Sequence, residues 1–273
     1  MDNHDEPMHE VTPHGDSPEE GQGSGTGDAV LGRAVAIKVP VLVPVLIFAL
    51  AIVGSLIGLD LASYVSGSSS SIATSNLSAV ELFGDLAGLW VVLLGGSYFC
   101  SRHWGTGSLK KDLGLYFRAS DVIVGSIVGV AGQLLLVPLI YLIYQTLTGS
   151  SIRNLSAPAQ NLVNAGQGAS TVLVGFLIVI GAPLVEEIFF RGLVLRSLLG
   201  RTSAFGGRAS TFVAVVGSAL LFTVAHLEGL QSFGLFALGL ILGYMAARSG
   251  RIGATVFAHA SFNLVSFVAL VHR

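Results

Sequence analysis

A chain of 273 residues that is 52% hydrophobic and 11% charged is too apolar for a soluble domain, where charged residues make up about 25%. The composition implies an all-α integral membrane protein with the lipid bilayer as solvent, and no nucleic-acid partner is expected. The lone Cys100 excludes an intramolecular disulfide and any Cys-rich zinc site.

The chain opens on an acidic stretch. Asp2, Asp5, Glu6, Glu10, Asp16, Glu19, Glu20 and Asp28 are half of the 16 acids, and no Lys or Arg precedes Arg33. So little apolar content cannot bury a core, so residues 1–32 are expected to be a disordered cytoplasmic tail ahead of a polytopic domain over 33–273. His4, His9 and His14 read as solvated tail residues rather than a metal site. Gly25-Thr26-Gly27-Asp28 has the G-x-G-D form of membrane aspartyl proteases, but within this tail it carries no meaning. No basic segment opens the chain, so no signal peptide is expected.

About seven transmembrane helices follow, near 37–59, 80–100, 121–147, 170–195, 209–227, 231–248 and 252–271. Pro40 and Pro44 lie near the start of the first, where a missing N–H is tolerated, and Pro138 should kink the third. Residues 60–79 and 148–169 read as outer loops, the second flexible. Residues 101–119 alternate basic and apolar side chains and read as a short amphipathic helix on the membrane surface. Glu81 and Asp85 are expected at the outer interface, solvated or paired with Arg153. Of the 14 basic residues, only Arg153 and Arg273 fall outside when the N-terminus is placed in the cytoplasm, a strong positive-inside bias. An odd number of spans then puts the C-terminus outside. No internal repeat with matched broken helices is found, which weakens a transporter reading.

The chemistry concentrates in Ala182-Pro183-Leu184-Val185-Glu186-Glu187-Ile188-Phe189-Phe190-Arg191-Gly192. Two carboxylates end an otherwise apolar run, and each charge at mid-bilayer costs about 2.5–3.5 kcal/mol on insertion scales. Glu187 and Arg191 stand at i,i+4 and can pair, whereas Glu186 is turned roughly 100° away. Burial and a like-charged neighbour would raise the pKa of Glu186, which suits a general base. His226 ends the fifth span, and His259 and Asn263 share one face of the seventh. Metalloprotease H-E-x-x-H is absent, and a Ser218–His259 dyad has no G-x-S-G beside it. The depths conflict: His226 lies about 26 Å from the inner end of its span and His259 about 10 Å, so the helices must be staggered or tilted, or the boundaries shifted.

The blocks Glu186-Glu187-x-x-x-Arg191, Phe222-x-x-x-His226 and His259-x-x-x-Asn263, in this order on three spans, resemble the CPBP family. That family groups CAAX-type prenyl endopeptidases with bacteriocin-processing and immunity-type (Abi-like) membrane proteins. The resemblance covers roughly residues 80 to 270 and includes Leu113-Gly114-Leu115. It implies an intramembrane endopeptidase with a polar site inside the bundle, acting on a membrane-associated peptide or protein. It also implies that Glu186 and His226 activate water, and that His259 and Asn263 either stabilise the oxyanion or bind a metal. A divalent metal such as zinc, held by His226 and His259, is the cofactor such a site could take. The alternatives are a non-catalytic immunity or adaptor protein of the same fold and a proton-coupled transporter using Glu186.

Overall fold

The computed structural model describes Met1 and residues 36–67, 77–149, 156–166, 168–226 and 229–272. The acidic tail, its three histidines and Arg153 lie outside the described residues. The described chain contains helices and connecting turns with no strand.

Among the described residues, seven helices are long and apolar enough to cross a membrane. They are α1 (Leu42–Ser66), α2 (Ala79–Trp104), α4 (Ala119–Thr148), α6 (Ser170–Phe205), α7 (Gly207–Ala225), α8 (Ser232–Ser249) and α9 (Gly253–Val271). Two short helices join them, α3 (Leu109–Asp112) and α5 (Ala157–Asn164). The first span starts and ends later than the apolar run suggests. Residues 36–40 instead run against the C-terminal part of α6, where Ile37 donates its N–H to the Arg196 carbonyl at 3.2 Å.

Lipid offers no hydrophobic drive between helices, so small residues set the closest contacts. Gly54 and Gly58 of α1 face Gly84 and Gly88 of α2, and a Cβ at any of them would collide with the facing helix. Gly125 and Gly129 of α4 meet the backbone of α9 at Ala254 and Ala258 in the same way. A bidentate Arg251–Asp121 pair, at 2.7 Å for the shortest bond, closes that interface at its end.

The two mid-span prolines stand beside π turns. Pro138 follows the π turn Gly132–Leu136, and Pro183 follows the π turn Leu177–Gly181 at the same offset. The wider turn shifts the backbone bonding by one residue around the missing proline donor. A third π turn, Ile188–Val194, begins directly after Glu187.

Three expectations are corrected here. Residues 101–119 are no surface helix: α2 continues to Trp104, one turn of α3 follows, and Asp112 and Leu113 are buried. Asp112 accepts from the Ser101 hydroxyl at 2.6 Å and the Thr106 hydroxyl at 2.8 Å, which ties the segment to the end of α2. Gly114 then turns at φ 66°, and its carbonyl accepts from the Ile252 N–H at 3.0 Å, holding the start of α9. The loop 148–169 contains α5, which packs on α6 and α9. Glu81 is buried rather than solvated: it closes a capping box with Ser78 and accepts from the Ser63 hydroxyl at 3.1 Å, while the alternative pairing with Arg153 lies outside the described residues. Asp85 accepts from the Ser55 hydroxyl.

Burial pushes the Asp112 carboxyl up, but hydrogen bonds from Ser101, Thr106 and Gly107 outweigh it and hold it below the ordinary aspartate range. A depressed folded value means that this anchor stabilises fully above the unfolded value near pH 4 and is lost as pH falls through the folded one. Asp112→Asn should therefore lower the melting temperature at neutral pH and flatten its acid dependence. An unchanged acid limb would show that Asp112 is not the group responsible.

Candidate active site

The buried centre lies where α6, α7, α8 and α9 meet. Glu187 and Arg191 are fully buried and joined at 2.8 Å, as their spacing predicts. Arg191 also donates to the Gly239 carbonyl of α8 at 3.3 Å and lies 4.5 Å over the Phe222 ring. Phe222, which opens the second motif block, is an aromatic platform here. Its ring is 4.6 Å from His226 and 5.6 Å from His259, so one aromatic orients both imidazoles beneath the guanidinium.

Each imidazole has a fixed inner nitrogen. His226 Nδ1 lies 2.8 Å from the Phe222 carbonyl, which can only accept, so Nδ1 carries the hydrogen. His259 Nδ1 lies 3.1 Å from Glu187 Oε1, the oxygen that Arg191 holds. The outer nitrogens converge: His226 Nε2 is 3.8 Å and His259 Nε2 is 3.9 Å from Glu186 Oε2. These separations are too long for direct hydrogen bonds but suit one bridging water. Glu186 Oε2 itself is buried without a hydrogen-bond partner. The two adjacent glutamates thus differ in surroundings: Glu187 is locked by Arg191 and His259, and Glu186 faces a cavity.

That cavity has a volume of about 680 Å³. Glu186, His226, His259 and Asn263 line one part, and Asp85, Pro158 of α5 and Leu270 line others. Along α9 the lining extends from His259 to Leu270, roughly 16 Å at 1.5 Å per residue. Its walls are largely apolar, as a site for a greasy, extended ligand would be.

The apparent conflict in depth is resolved by stagger. Arg196 Nη2 donates to the Gly250 carbonyl at 2.7 Å, so α9 begins level with Arg196 rather than with the end of α6. Glu187 and His259 then stand the same number of residues beyond that contact. The α6–α7 hairpin continues further, to Phe205 and Gly207, which is why His226 is so far from the start of α7.

Two other candidates take different places. The Ser218 hydroxyl is buried and donates to the Phe190 carbonyl at 2.9 Å, so no Ser218–His259 dyad forms. Asn263 lines the cavity, but its amide Nδ2 donates to the Ile178 carbonyl at 3.0 Å. Glu186 Oε2 and the two Nε2 atoms are donors that a divalent ion could use. Among the described residues, however, no group of three or more His, Cys, Asp or Glu side chains is arranged to hold one.

A family model matches residues 168–265, the stretch that carries every one of these groups. The match is to the Rce1-like type II CAAX prenyl endopeptidases. The Rce1-like stretch begins just before α6 and ends within α9, and it agrees with the resemblance read from the three motif blocks. No curated protein and no solved structure matches the chain. Among the described residues, seven apolar helices support a multi-pass membrane protein, and the stretch 168–265 is similar to the Rce1-like CAAX endopeptidases.

Proposed function

We propose that this chain is an intramembrane endopeptidase that hydrolyses a peptide bond of a membrane-associated peptide or protein with water activated by Glu186. The observation that supports this most is the pair of imidazole Nε2 atoms facing the unpartnered Glu186 Oε2 inside a cavity.

A water between these groups donates one hydrogen to Glu186 and the other to His226 Nε2. Glu186 takes the proton as the water oxygen attacks the scissile carbonyl carbon. His259, held by Glu187, donates from a protonated Nε2 to the developing oxyanion, and Glu187 balances the imidazolium. Glu186 then returns its proton to the leaving amine, and the C–N bond breaks. The products are a carboxylic acid and an amine, and the enzyme is regenerated. A divalent ion such as zinc would need His259 Nε2 without its proton; the Nε2 atoms of His226 and His259 would then hold it, and it would supply acidification of the bound water. Nothing in the steps above needs it.

The cavity's apolar length suits a substrate presented from lipid, such as a lipidated peptide. In vesicles containing the purified protein, a prenylated C-terminal peptide should yield a shortened product, and its unprenylated twin should react more slowly. A protein that binds such peptides and cleaves none of them is an adaptor. We place the N-terminus in the cytoplasm from the basic-residue bias, so a reporter fused to the C-terminus should read as external. Both ends reporting one compartment would contradict that orientation.

A further inference from the structure

Asn263 stands one helical turn beyond His259 on α9, yet its amide is committed to backbone. The acceptor, the Ile178 carbonyl, lies inside the π turn Leu177–Gly181. In an α-helix that carbonyl would receive the N–H of Ala182, and in a π turn the N–H of residue 183. The Ala182 N–H goes instead to Leu177, and residue 183 is proline, which has no N–H. The sequence therefore leaves this carbonyl without a backbone donor two turns before Glu186. Ile178, Ala182 and Glu186 share the cavity face at four-residue intervals, so the geometry of this turn aims Glu186.

We propose that Asn263 is a positioning residue: it closes the gap that Pro183 opens in α6 and so fixes the angle at which Glu186 meets His226 and His259. Beside the Arg196–Gly250 and Glu187–His259 contacts, this bond is a further tie between the two helices that carry Glu186 and His259, and it acts at the π turn. A single residue of slip in the turn would rotate Glu186 by about 100°. This role differs from the oxyanion or metal role that the family resemblance implies for Asn263, and it rests on Glu186 being the base.

The test is a cycle of wild type, Asn263→Ala, Pro183→Ala and the double variant, with kcat, KM and melting temperature measured in one detergent. Asn263→Leu, close in shape, serves as a second probe should the alanine variant fold poorly. Asn263→Ala alone should lower kcat by about 100-fold, the scale of an ångström-level misplacement, with KM little changed. Pro183→Ala restores an N–H at the position that can meet Ile178. In that background, removing Asn263 should cost little in either kcat or melting temperature. An equal kcat loss in both backgrounds would overturn the proposal in favour of a direct role at the reacting atoms. Coupling in melting temperature without coupling in kcat would also overturn it, because the brace would not be aiming Glu186. If wild type cleaves nothing, the reading of Glu186 fails separately. The melting-temperature cycle then still decides whether Asn263 and Pro183 are coupled, and its absence overturns the tie.

Discussion

Glu186→Gln is expected to lower turnover by about 10²–10⁴-fold, the usual contribution of a positioned general base, with little change in melting temperature. The amide preserves the shape of the side chain and removes its basicity. No direct hydrogen bond is lost at Oε2, because the imidazoles stand at 3.8 Å and 3.9 Å and the oxygen has no other partner. A variant that still turns over at the wild-type rate would remove Glu186 from the chemistry.

Glu187→Gln should behave in the opposite order. It leaves the fully buried Arg191 guanidinium without its carboxylate, and breaking one side of a buried pair costs about 3–5 kcal/mol. His259 loses the oxygen that holds its Nδ1 at the same time. The expected result is a large fall in melting temperature and poor recovery of monodisperse protein, with activity lost as a consequence. A Glu187→Gln protein as stable as wild type yet inactive would mean that the two glutamates have been assigned the wrong way round.

The contrast between these carboxylates shows what a sequence can carry. The i,i+4 spacing of Glu187 and Arg191 depends only on local helix geometry, and the pair is present. The three motif blocks also meet in space, although each lies on a different helix. The relative heights of those helices were not legible. They depend on tertiary bonds such as Arg196 to Gly250, and a hydropathy window sees only composition. For the same reason α6 runs past the expected boundary at residue 195: Arg196, placed on the cytoplasmic side by its charge, is buried against α9. Residues 101–119 misled through their alternation of lysine and leucine, because the buried anchor is the short side chain of Asp112. The fate of Asn263 was hidden too, since a π turn beside a proline shows in backbone bonding and not in residue type. The partner of the Ser218 hydroxyl, a backbone carbonyl, has no sequence signature.

The central claim is that water, activated at Glu186, adds across a peptide bond inside the membrane. Wild type and Glu186→Gln would be reconstituted in vesicles made in H₂¹⁸O with a prenylated, membrane-anchored peptide, and the products weighed intact by mass spectrometry. The account predicts a new C-terminal carboxylate carrying one ¹⁸O from wild type, and uncleaved peptide from Glu186→Gln. Equal ¹⁸O-labelled product from both proteins would contradict it.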